Sequence, residues 1–176
     1  STDPAKQYTA SDITGYNMGD SNPSDLYKPF NASTTGSYVF TVKATVGGNL
    51  ARFRLADSAN LGYGYFLKDN YVGMRQNGGG AEIGKDLTVE GLKINNNTFK
   101  LQIKATVADF DGDGLDDTRM ELYIDDVLVR TDDIKDYTPT VTQVIFREIA
   151  FDKLDPVFST DPAKQYTASD ITGYNM

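Results

Sequence analysis

Carboxylates crowd one short stretch of the chain, at Asp109, Asp111, Asp113 and Asp117 of Asp109-Phe-Asp-Gly-Asp-Gly-Leu-Asp-Asp117. Like charges this close repel, and a divalent cation removes the repulsion. Oxygen-only donors select a hard ion, calcium above all. The offsets are those of positions 1, 3, 5 and 9 of a calcium loop. Gly114 stands at position 6, where the chain must turn sharply. Leu115 follows where a backbone carbonyl binds the ion. The twelfth position is Met120, and the nearest bidentate candidate is Glu121, one residue late. The expected calcium ligands are therefore Asp109, Asp111, Asp113, Leu115, Asp117 and Glu121. The competing expectation is a solvated acidic loop without metal. Bound calcium would stiffen the loop, and nothing beside it points to catalysis.

Composition narrows the remaining chemistry. The chain has no Cys, no His and no Trp. That removes disulfides, thiol nucleophiles, zinc fingers and every His-dependent triad. It also removes the side chain that switches charge near neutral pH. Net charge is −8 without a basic stripe, so neither nucleic acid nor an anionic membrane is an expected partner. No apolar run approaches the length of a membrane-spanning helix, so membrane insertion is not expected. The chain opens on Ser without a signal peptide, as a processed chain or a fragment would. An acidic Cys-free chain rich in Tyr, Gly, Asn and Thr fits an extracellular protein of a bacterium or archaeon.

A ligand site for sugars needs flat aromatic surfaces and polar forks. Tyr63, Tyr65, Tyr71, Arg75 and Asn77 offer them. The plainer expectation is that these tyrosines are strand formers with an amphipathic surface. Gly78-Gly79-Gly80 reads as a turn and lacks the helix that a phosphate loop requires.

The elements that must position these residues are strands. Phe40, Val42, Ala44 and Val46 alternate with polar residues, as do Phe99, Leu101, Ile103, Ala105 and Val107. Met120, Leu122 and Ile124 alternate in the same way, and Phe53 and Leu55 sit among arginines. Shorter strands are expected at 63–67, 71–75 and 127–130. The run 141–151 changes phase between Phe146 and Ile149, which predicts a bulge or bend. Residues 19–37 are poor in apolar side chains and read as a lead-in loop. No stretch carries a helical period. The pattern predicts an all-β, two-sheet antiparallel sandwich.

Several strings in this order resemble a known group. They are Pro29-Phe30, Ser37 to Val42, Arg52-Phe-Arg-Leu55, Gly62-Tyr-Gly-Tyr65, Phe99 to Ile103, Glu121 to Val129 and Ile149-Ala-Phe-Asp152. Residues 29–157 resemble the concanavalin-like jelly rolls, especially bacterial laminin-G-like modules. Asp126 stands where their hairpin carries Gly. The acidic loop resembles those of EF-hands, dockerins and thrombospondin type-3 repeats. Glycosidases of the jelly-roll group carry E-x-D-x-x-E on one strand. Glu121 to Asp125 and Glu148 to Asp152 do not fit that string, so the resemblance implies no catalysis here.

The chain also repeats itself. Residues 1–18 and 159–176 are identical, an offset of 158. The expected organisation is a repeat unit over 1–158, with a first segment 1–18, the lead-in 19–37 and the main strands 38–158. Residues 159–176 then form the joint to a neighbouring unit. Three origins compete: a tandem array, a donor strand for another copy, and a cloning overlap. Joining would run through Tyr8, Ala10, Ile13 and Tyr16, and through their copies Tyr166, Ala168, Ile171 and Tyr174. Partners are then copies of the chain itself, by covalent tandem or strand exchange. The function this suggests is a structural module of an extracellular filament or repetitive surface adhesin, stiffened by calcium. The alternative is a laminin-G-like module that binds carbohydrate.

Overall fold

The structure is a computed structural model, and it describes residues 7–8, 26–46, 51–57, 59, 61–76, 87–147, 149–151 and 157–159. Thirteen strands form two antiparallel sheets, with no helix among the described residues. The strands are β1 (Gln7–Tyr8), β2 (Leu26–Thr35), β3 (Tyr38–Val46), β4 (Ala51–Ala56), β5 (Tyr63–Lys68), β6 (Tyr71–Gln76) and β7 (Leu87–Thr88). They continue as β8 (Thr98–Ala108), β9 (Asp117–Ile124), β10 (Val127–Ile134), β11 (Thr140–Arg147), β12 (Ile149–Phe151) and β13 (Val157–Ser159). The first sheet has the order β1-β13-β3-β8-β9-β10, with β12 also on β3. The second has the order β2-β11-β4-β5-β6-β7. This is the expected sandwich.

Alternation sets which faces meet. Tyr38, Phe40, Val42, Leu101, Ile103, Met120 and Leu122 line the inner face of the first sheet. Phe53, Leu55, Tyr65, Leu67, Val72, Met74 and Val144 face them from the second. Burying every second residue of each strand supplies the main stabilisation, about 25 cal/mol per Å² of apolar surface. Arg130 adds a polar tie between the sheets. It is buried on β10, is held by both oxygens of Asp132 (2.6 and 2.9 Å), and donates to the Val72 carbonyl at 3.0 Å.

The run 141–151 does more than bend. β11 pairs with β4 and β2 in the second sheet, whereas β12 pairs with β3 in the first. The phase change read in the sequence marks a segment that passes from one sheet to the other, a known way to make a sandwich corner. The lead-in expectation fails in part. Residues 26–35 are β2, a ten-residue strand on β11. It lies at the sheet edge, where Pro29 is tolerated, and its register shifts between Val141 and Gln143. Edge pairing through the backbone needs little apolar pattern, which is why the sequence did not display it.

Asp126 does not break the β9–β10 hairpin. Asp125 and Asp126 have φ of 48° and 68°, and Ile124 pairs with Val127. Positive φ at both central residues is a type I′ turn, whose twist suits the strands, and Asp tolerates that region better than most residues. The Asp125 carboxylate accepts the Lys100 amide at 2.8 Å, and the buried Lys100 ammonium pairs with Asp126. The unit boundary falls within a strand, because β13 includes Ser159, the first residue of the second copy.

Candidate functional site

The acidic loop joins β8 to β9 and is held from within. Asp109 folds the turn around itself: one oxygen accepts the amides of Gly112 (2.7 Å) and Asp113 (3.1 Å), the other that of Gly114 (2.8 Å). Gly112 and Gly114 have φ of 78° and 89°, a region that L side chains rarely adopt. Asp117 is buried and ties the start of the loop to the segment after β10, accepting the amides of Phe110 (3.1 Å) and Asp136 (2.9 Å). Arg119 covers the loop, 4.2 Å from the Phe110 ring centre and bidentate to Asp133.

The structure gathers part of the expected metal set. Oxygens of Asp109, Asp111 and Asp117 lie within 4.8 Å of one another. Asp113 turns with Asp111 toward Lys135, whose ammonium sits 3.1 and 3.0 Å from them. This contact lowers the Asp111 pKa, and the two carboxylates raise that of Lys135. Leu115 is exposed, and its amide donates to Asp113 at 2.9 Å. Glu121 is not brought to the loop. It lies four residues beyond Asp117 along β9, about 13 Å at the rise of an extended strand. Its carboxylate instead accepts the Tyr123 hydroxyl at 3.2 Å. Three converging carboxylates fit a hard cation that completes its shell with water. Lys135 supplies one positive charge to the same loop.

The expected sugar residues separate. Tyr65 points inward and is fully buried beside Phe53, with ring centres 5.7 Å apart, so it cannot touch a ligand. Burial pushes its phenol pKa well up. Tyr63 packs edge-on against Tyr137 at 4.6 Å and leans on the core. Tyr71 and Arg75 are half-buried on β6, on the outer side of the second sheet. Asn77 lies outside the described residues, as do Ala10, Ile13, Tyr16, Tyr166, Ala168, Ile171 and Tyr174. Tyr8 lies in β1.

That outer face carries more than the two residues expected. Cross-strand pairing aligns Arg54, Gly64 and Arg75 in one row, and Arg52, Phe66 and Gly73 in the next. Lys68 pairs with Tyr71 in a third. Arg52 and Arg75 flank the Phe66 ring at 5.1 and 5.4 Å, and Lys68 stands 4.8 Å from the Tyr71 ring. Arg75 donates to the Tyr71 hydroxyl at 3.5 Å. A Cβ on Gly64 would meet the Arg54 Cβ at 2.4 Å, so glycine leaves the space that Arg54 fills. Sequence reading missed Arg52, Arg54, Phe66 and Lys68. The signal was Phe66, an aromatic out of phase with its inward-facing neighbours.

No protein-family model matches the chain, and no curated protein matches its sequence. Solved structures do share its fold. Sheep galectin-11 in complex with glycerol superposes with a TM-score of 0.51 at 14% identity, over 77% of this chain and 96% of that one. The carbohydrate-binding module CBM66 from Bacillus subtilis gives 0.51 at 17% identity, over 86% and 91%. A human galectin-16 variant gives 0.52 at 12% identity, over 80% and 98%. At such identities the likeness establishes architecture alone. The chain is an all-β jelly-roll sandwich of the architecture seen in galectins and carbohydrate-binding modules.

Replacing Asp117 by Ala removes the acceptor of two part-buried amides and should cost about 1–3 kcal/mol. Denaturant unfolding in metal-free buffer reads this. The exposed Asp116→Ala change should leave the midpoint unmoved.

Proposed function

We propose that this domain binds carbohydrate on the outer face of its second sheet. The observation that carries the reading is the cluster of half-buried aromatics and fixed guanidinium groups there, Phe66 and Tyr71 among Arg52, Arg54 and Arg75. Aromatic faces stack on the apolar sides of sugar rings, while guanidinium forks meet their oxygens. The fold neighbours named above as galectins and a carbohydrate-binding module support the same reading. They favour it over a purely structural role. Binding without catalysis is the form proposed, at the cell surface or outside the cell. A glycan array probed with this chain should give selective signals that Tyr71→Ala abolishes; a blank array contradicts the reading.

A second role is proposed for the opposite sheet: joining to other copies, as in a repetitive adhesin or a filament. One observation favours it. β1, from the first copy of the repeated segment, pairs antiparallel with β13, with Gln7 opposite Ser159 and Tyr8 opposite Phe158. The second copy carries the same pair at Gln165 and Tyr166. An edge that accepts one copy can accept the identical strand of another chain, with the same backbone hydrogen bonds. The two roles use different sheets and do not compete. Deleting 159–176 should abolish higher assemblies in light scattering while the melting temperature stays within a few degrees. Unchanged assembly contradicts the joining role.

Calcium in the acidic loop is proposed as the stiffening element, held by Asp109, Asp111 and Asp117. Adding calcium to metal-free protein should raise the melting temperature by several degrees, and Asp111→Ala should remove the rise. A flat titration contradicts calcium binding.

A further inference from the structure

We infer that the two copies of the repeated segment contest one edge, that of β13, and that the second copy closes it from within its own chain as a β-hairpin. The inference rests on the joining role above and names how it is held in check: a self-closed chain must open before it joins another.

The register defines the contested place. Val157, Phe158 and Ser159 pair with Thr41, Phe40 and Val39 of β3 on one side of β13. β1 takes the other side, with Gln7 opposite Ser159 and Tyr8 opposite Phe158. A strand has two edges, so the outer one holds a single copy at a time. The second copy repeats the pair as Gln165-Tyr166. The same antiparallel register sets Gln165 opposite Ser159 and leaves residues 160–164 as the connection. A connection of that length closes ordinary hairpins, most often around a type I turn. Thr160-Asp-Pro-Ala-Lys164 contains Asp161-Pro162, the residues that such a turn favours at its first two positions. Direction, register and connection agree.

The structure holds the first copy in this place, and the second can replace it without changing one cross-strand pair. Only the connection decides between them. Residues 9–25 separate β1 from β2, whereas residues 160–164 separate β13 from the second Gln-Tyr pair. The cost of closing a loop grows with the logarithm of its length, which favours the second copy about sixfold. Closure within a chain does not depend on protein concentration, but capture of a copy from another chain does. Joining therefore competes with closure and gains as the protein is concentrated.

Disulfide trapping in the full chain tests this without background, because the chain has no Cys of its own. Facing residues of an antiparallel pair stand about 4.5–5.5 Å apart at Cα, within reach of a disulfide. Gln7→Cys, Ser159→Cys and Gln165→Cys are combined in one chain and oxidised in dilute solution, and the monomer is digested for mass spectrometry. The bond between 159 and 165 should exceed that between 7 and 159 about sixfold. Inserting about ten Gly and Ser residues after Ala163 should bring the two bonds near parity. An excess of the 7–159 or a 7–165 bond, or a ratio that the insertion leaves unmoved, overturns self-closure while the joining role stands. The chain carrying Ser159→Cys and Gln165→Cys alone should stay monomeric in light scattering once oxidised, at concentrations where its reduced form assembles. Assembly of the oxidised form overturns the shared edge. A reduced form that stays monomeric at every concentration, with the 159–165 bond in excess, overturns the joining role and leaves self-closure intact.

Discussion

Two sheets packed face to face leave a gap of about 10 Å, and side chains from both must fill it. That constraint decides where every other residue of this protein can act. One residue in two along each central strand is committed to the core, among them Tyr38, Phe40, Phe53, Tyr65 and Leu101. Function is left the outer faces, the edges and the loops. Each proposed role occupies one of these. The basic aromatic patch lies on an outer face, β1 and β13 lie at an edge, and the acidic loop caps the β8–β9 connection.

The same constraint explains what the sequence disclosed. Alternation in β3, β8 and β9 is long and regular, so their inward faces were legible residue by residue. In Gly62-Tyr-Gly-Tyr65 it was not, because tyrosine serves either side of a strand. Pairing with β4 decides it: Phe53 lies opposite Tyr65 and Arg52 opposite Phe66, which turns the tyrosine in and the phenylalanine out. The residue chosen from sequence as a ligand platform is thus core, and its neighbour carries the exposed role. β2 was hidden for a different reason. An edge strand is held by its backbone, and a proline with few apolar neighbours gives no period to read.

The acidic loop was legible as a loop and as a cluster, because its spacing is local. Its counter-charge was not. Lys135 follows β10, and only the pairing of Thr118 with Ile134 brings it against Asp111 and Asp113. Glu121 shows the converse. It is close to the loop in sequence and far from it in space, because an extended strand carries it away where a helix would have curled it back. Ligand counting by spacing holds within a turn and fails once a strand begins.

The central claim is that ligand meets this molecule on the outer face of β4, β5 and β6. Mapping backbone amide shifts during a titration with a saccharide that the glycan array selects tests it most directly. The account predicts changes concentrated at residues 52–54, 64–68 and 71–75. Changes confined to the acidic loop at 109–117, or to the cleft formed by 89–93 and 124–129, would contradict it.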